Sequence, residues 1–278
     1  MKYSVLLLAG LAAGPFTWSG AAQEKAAAVK EKQARVAGVL NRNGPPMSRI
    51  LFGSCVKQDQ PMPIFETIVA ENPGLFIFLG DNIYADTTDM DVMRLKYAKL
   101  KADEGFARLL GSCPVLATWD DHDYGKDDAG GDWSNKNYSE SLYQHVWAIG
   151  DDDPRSQLPG VYVQETIGPE GQQVQIIMLD VRFFRTPLTR NPDQNVGRYT
   201  PSQDPNQNML GEAQWQWFKE QLEKPANVRV IVTPVQLIAD GHYWESWRMM
   251  PKERQRFYDL LAETRPNGVI IVSGDRHS

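Results

Sequence analysis

Residues 75–86 read Leu-Phe-Ile-Phe-Leu-Gly-Asp-Asn-Ile-Tyr-Ala-Asp, and the chain is organised around them. The first five are continuously apolar and stop abruptly at Gly80. Such a run is too short for a helix, and a strand apolar at every position has both faces buried. The spacing therefore predicts a central strand of an α/β fold. The residues that follow change character at once. Asp81, Tyr84 and Asp86 place oxygen donors at the strand's carboxyl end, the edge where open α/β sheets bind ligands. Taken alone, the same residues also fit an Asx-capped turn with a surface tyrosine.

The pattern recurs. Short apolar stretches at 49–54, 115–118, 174–179, 229–233 and 269–272 each run into side chains that can do chemistry. They deliver, in order, Cys55; Asp120, Asp121, His122 and Asp123; Asp180 and Arg182; Gln236 and His242; and Asp275, Arg276 and His277. Helical spacing fills the intervals at 63–71, 90–110 (interrupted by Gly105), 211–224 and 252–264. Strands alternating with amphipathic helices predict a layered α/β domain with a largely parallel sheet order. A hard-oxygen set (Asp81, Asp121, Asp275) mixed with an imidazole (His277), a phenol (Tyr84) and the Cys55 thiol suits a transition metal beside a harder cation. Such a pair can clamp an in-line displacement at phosphorus.

The 278 residues can hold one large domain, with 42% hydrophobic and 23% charged residues. A net charge of −6 argues against partners held by phosphate-backbone electrostatics or by an anionic membrane surface, so no nucleic acid partner is expected and a small substrate is. Residues 1–22 read as a Sec-type secretory signal: Lys2, an apolar stretch from Val5 to Phe16, then small residues through Ala22. That stretch is too short for a stable membrane span. A secreted or periplasmic monomer is the expectation. Residues 23–48 read as a linker or frayed helix, closed by Pro45 and Pro46. Cys55 and Cys113 are the two cysteines, and in an oxidising compartment a disulfide between them is an alternative to a metal-binding thiolate.

Five ordered motifs then carry a resemblance. They are Phe-Gly-Ser-Cys (52–55), Gly-Asp-Asn-Ile-Tyr-Ala-Asp (80–86), Thr-Trp-Asp-Asp-His-Asp-Tyr-Gly (118–125), Leu-Asp-Val-Arg-Phe-Phe-Arg (179–185) and Ser-Gly-Asp-Arg-His (273–277). Together they resemble the PhoD-like alkaline phosphatases of the metallophosphoesterase superfamily, over residues 49–278. Glu245-Ser-Trp247 followed by Pro251-Lys-Glu-Arg254 is similar to the family's tryptophan-proline segment, with glutamate where aspartate is usual. The resemblance implies a four-layer αββα sandwich and a phosphoester hydrolase, acting on monoesters, diesters or both, whose site holds Fe3+ and Ca2+. It implies in-line attack at phosphorus by a metal-activated hydroxide. Carried over residue by residue, it makes Cys55, Asp81, Tyr84, Asp121, Asp275 and His277 the metal-site positions, with Asp81 bridging. His122 would assist the leaving group or orient phosphate with Asp123 as its partner, while Arg182 and Arg185 would clamp phosphate oxygens. His242 would help form the substrate pocket. Asp127 stands where the family commonly has asparagine, which bears on the second metal. A relative would continue beyond His277, so the domain is expected to be cut short at its carboxyl end, and a metal-binding but catalytically silent relative is the alternative function.

Plainer readings stand beside several of these. Arg182 and Arg185 also fit structural salt bridges, His145 fits a helix surface, and His242 fits a structural place among aromatic residues. Asp86 and Asp89 fit the start of the next helix, where acidic residues are favoured.

Overall fold

The computed structural model describes residues 40–276. The expected signal, most of the linker and His277 lie outside them. Among the described residues seven strands form two sheets. The first is parallel, with β2 (Leu75–Leu79) between β1 (Ile50–Gly53) and β3 (Val115–Thr118). The second has the order β4-β5-β6-β7, from β4 (Val163–Ile167), β5 (Val174–Met178), β6 (Val228–Val232) and β7 (Val269–Val272). Its β4 is antiparallel to β5 and the other pairings are parallel.

The two-residue period of a strand explains how the sheets stack. Along β2, Phe76 and Phe78 point to one side and Leu75, Ile77 and Leu79 to the other. The phenylalanines pack under α1 (Ile64–Ala70), α2 (Met90–Ala102), α3 (Glu104–Ser112) and α5 (Lys136–Val146) through Phe65, Met93, Tyr97, Phe106 and Tyr143. The opposite face meets Ile176, Met178, Val230, Val232 and Val272 of the second sheet. Alternate residues on that sheet, Ile177 and Ile231, turn away toward α6 (Glu212–Glu223) and α7 (Pro251–Thr264), where Trp215, Phe218 and Phe257 cover them. These three apolar interfaces define a four-layer αββα sandwich. Truncating one fully buried ring such as Phe78 to alanine would cost about 3–5 kcal/mol.

Two boundaries differ from the sequence expectation. The 90–110 segment is two helices, broken at Asp103 rather than Gly105, because the Asp103 side chain accepts from Phe106 N (2.8 Å) and caps α3. Asp89 caps α2 by accepting from Asp91 N at 2.9 Å, as its position suggested, whereas Asp86 lies outside that helix. Both cysteines are free, which removes the disulfide alternative. Cys113 precedes β3, so it lies at the opposite end of the parallel sheet from Cys55. Among the described residues no helix is long and apolar enough to cross a membrane.

Candidate metal centre

Two glycines bring the strand ends together. Gly80 has φ +103°, and a Cβ there would lie 2.6 Å from Asp120 Cβ, so only glycine lets the loop after β2 touch the loop after β3. A Cβ on Gly274 would lie 2.8 Å from Ser54 Cβ and 3.0 Å from Leu79 O. The loop after β7 thus crosses from the second sheet onto the first. The centre is built where both sheets end.

Cys55, Asp81 and Asp275 meet there, and all three have left-handed backbones, with φ of 63°, 52° and 62°. Such a conformation is disfavoured for side chains bearing a Cβ, and repeating it at three converging loops points to a function that outweighs the strain. One carboxylate oxygen each from Asp81, Asp120, Asp121 and Asp275 lie within 4.8 Å of one another. Oxygens of Asp81 and Asp121 also lie within 4.8 Å of a ring nitrogen of His122, and one of Asp121 lies within 4.8 Å of carboxylate oxygens of Asp128 and Glu245. Tyr84 Oη donates toward Asp81 Oδ2 at 3.3 Å, and Cys55 Sγ lies 3.5 Å from the same oxygen.

The cluster is short of positive charge. Asp81 Oδ1, Asp120 Oδ2 and Asp121 Oδ1 are buried and have no hydrogen-bond partner. Burial, reinforced by the charges of Asp120, Asp121, Asp123 and Asp275, holds the Asp81 pKa well above the carboxylate range. Burial and Asp121 push Asp275 up to about 6, and burial and Asp81 push the Cys55 thiol up to about 11. The Tyr84 phenol is raised for the same reasons. Open oxygens, crowded acids, a thiol and a phenol fit cations, which would pair the first and deprotonate the last two.

His122 projects from the short helix α4 (Asp121–Tyr124), half-buried against the Tyr84 ring at 4.2 Å between centroids. Its partner is not Asp123. The carboxylate of Asp123 turns into the core, where it takes Asp120 N (2.7 Å), Tyr97 Oη (3.2 Å) and the side chain of Asn82, and burial pushes its pKa up to about 7. Asp86 Oδ1 sits 2.6 Å from His122 Nδ1 instead. Burial works against the imidazolium, but the Asp86 hydrogen bond and the charges of Asp121, Asp86 and Asp127 outweigh it, and the pKa is raised.

The arginines make the salt bridges that were one of their two expected roles. Arg182 and Arg185 are 0% and 1% exposed. Arg182 pairs with Asp120 and, at 2.6 Å, with Glu245, and lies 3.7 Å from Asp121. Arg185 takes Glu245 at 3.1 Å. Both are therefore placed to balance buried carboxylates, an arrangement the planar guanidinium suits as well as it suits phosphate. Burial raises Glu245 to about 7 even so. His242 is half-buried, its Nδ1 accepting from Trp244 N at 3.3 Å. Asp127, at the position of the usual asparagine, pairs with Arg198. Asp120, Asp128, Glu245 and Arg198 were given no site role from sequence. The Asp120-Asp121 repeat and the Glu245-Ser-Trp247 segment held the available clues, and nothing local marks Asp128 or Arg198.

Fold and centre together define a class: a four-layer α/β sandwich with an acidic, cation-ready centre at the meeting of its two sheets. The chain matches the PhoD-like phosphatase family over residues 50–148 and 162–278, and it belongs to that family. It is similar to alkaline phosphatase D of Bacillus subtilis (strain 168), with 21% identity over 84% of this chain and 46% of that protein. A solved structure described as "Structure of PhoD" superposes with a TM-score of 0.68, 21% identity, and coverage of 84% of this chain and 52% of the other. Another, described as "GAP50 the anchor in the inner membrane complex of Plasmodium", gives 0.46 at 14% identity over 80% of this chain and 64% of that one. The chain spans about half the length of the PhoD relatives it matches.

Proposed function

We propose that residues 49–278 form the hydrolytic domain of an exported, metal-dependent phosphoester hydrolase that favours small phosphomonoesters over diesters. The observation that carries this reading is the set of buried carboxylate oxygens on Asp81, Asp120 and Asp121 to which no protein group donates a hydrogen bond, gathered with Asp275 within 4.8 Å of one another. Cys55 and Tyr84 would hold ferric iron, because a thiolate and a phenolate are good donors to it and poor ones to magnesium or calcium. Asp121 and Asp275 would hold the harder ion, calcium, and Asp81 would serve both, with His277 joining on the strength of its motif. Bound there, the cations supply Lewis-acid polarisation of the phosphoryl group.

The chain's own side chains do the rest. Asp86 accepts from His122 Nδ1, which fixes the ring and leaves Nε2–H as a donor for the departing oxygen. The Asp86 carboxylate at Nδ1 favours the protonated ring. Arg182 and Arg185 offset the charge of Asp120 and Glu245 from behind, which lowers the cost of ionising the acids at the front when metal binds. His242 lines the approach. Residues 1–22 direct export.

Elemental analysis beside an aryl monoester and an aryl diester tests the reading. Iron and calcium should accompany the protein, and the monoester should be turned over faster. His122→Ala should lose about 10²–10⁴ in rate with its metal content unchanged. Purified protein with neither metal nor turnover would overturn the proposal.

A further inference from the structure

Trp119, Trp215 and Trp247 are buried in the core, but Trp244 is 43% exposed. It stands beside the acidic centre. The next residue, Glu245, is buried, with a carboxylate oxygen within 4.8 Å of oxygens of Asp121 and Asp128. Asp128 N donates to Asp121 Oδ2 at 2.6 Å, Arg198 pairs with Asp128 and Asp127, and the Arg198 guanidinium lies 5.2 Å from the Trp244 ring centroid. Asp128 and Arg198 thus link Asp121 to the indole, and the Glu245 carboxylate next in the chain reaches the same cluster.

The indole is also held. Arg198 covers it by a cation–π contact. Tyr199 ties the Arg198 loop down, donating its hydroxyl to Asp128 Oδ2 (2.6 Å) and its backbone N–H to Tyr243 O (2.9 Å). Trp244 N is anchored on His242, whose carbonyl accepts from Arg248 at 2.9 Å. An aromatic ring fixed by its neighbours has lost its rotamer freedom before any ligand arrives, so stacking on it costs little further ordering. Because Asp127 and Asp128 already neutralise Arg198, the wall presents an aromatic surface rather than a positive one.

We propose that Trp244 is a specificity-determining residue: it stacks the ring of a phosphoester whose alcohol is aromatic or heteroaromatic, while the phosphate sits over the carboxylate cluster. This rests on the phosphoester reading above. Phenylphosphonate and methylphosphonate, titrated calorimetrically into the metal-containing protein, test it without turnover. Phenylphosphonate should bind about three- to tenfold tighter, the range of one aromatic stacking contact. Trp244→Ala should erase that ratio, and Trp244→Phe should keep most of it. Equal affinities in the native protein, or a ratio that survives Trp244→Ala, would overturn the stacking role while leaving the hydrolase reading intact. Absence of binding by both phosphonates, together with no turnover of any ester, would overturn both.

Discussion

Asp81 and Asp180 occupy matching places in the two sheets, each two residues beyond the end of an interior strand and each buried. Their surroundings differ. Asp180 is saturated by backbone: its Oδ1 accepts from Arg182 N (2.8 Å) and Phe183 N (3.0 Å), and its Oδ2 from Val161 N (3.0 Å). Asp81 has one oxygen with no partner and the other beside Tyr84 and Cys55, on a left-handed backbone. A strand-end carboxylate is therefore not a ligand by position alone. One whose oxygens the fold has used is structural, and one the fold has left open is held for something else.

The comparison breaks most visibly in activity. Asp81→Asn should lower phosphoester turnover by about a thousandfold, the rate equivalent of several kcal/mol of lost charge stabilisation, and assays with and without added metal would check it. Asp180→Asn should keep most turnover but lose about 2 kcal/mol, because an amide cannot accept from all three N–H groups; a Tm fall of roughly 4–8 °C would register this.

A pH series sharpens the contrast. Burial raises Asp81, Asp120 and Asp180 above their unfolded values, places Asp275 at about 6 and places Asp123 and Glu245 at about 7. A raised carboxylate contributes stability that is complete below its unfolded pKa, near 4, and lost as pH rises through its folded pKa. The metal-free protein should therefore melt at falling temperatures from about pH 4 to 7. Loaded protein should show a shallower fall, since cations would answer Asp81 and Asp275 but not Asp180. Thermal melts of both forms across that range decide it.

The smallest effect contrasts the two thiols. Cys55 ends beside Asp81 and Cys113 lies at the far end of the same sheet, so with ferric iron added Cys55→Ser should shift a visible charge-transfer band and Cys113→Ser should not. Absorption spectra of the two variants make the comparison.

Much of this was legible in the chain. The five apolar residues before Gly80 have to be an interior strand, and the repeated acids after successive strands imply one chemical edge. The division into two sheets was not readable locally, because parallel strands of either sheet are apolar on both sides and β4, Val-Gln-Glu-Thr-Ile, is too polar to stand out. Without the resemblance, nothing local to either strand end tells Asp81 from Asp180. That depends on which backbone N–H groups the fold brings near, and Val161 reaches Asp180 from 19 residues away. His122 finds Asp86 across 36 positions, whereas its neighbour Asp123 turns inward, since adjacent residues on a helix face different directions. Arg182 and Arg185 fitted phosphate contact and structural salt bridges equally well in the sequence, because a guanidinium serves phosphate and carboxylate alike; in the fold both are buried and paired with Glu245.

The most direct measurement is the metal content of Asp81→Asn and Asp180→Asn, purified side by side and analysed by mass spectrometry. Asp81→Asn should lose its metals and Asp180→Asn should retain the native complement. Equal retention, or equal loss from a folded Asp180→Asn protein, would contradict the distinction between open and saturated carboxylates.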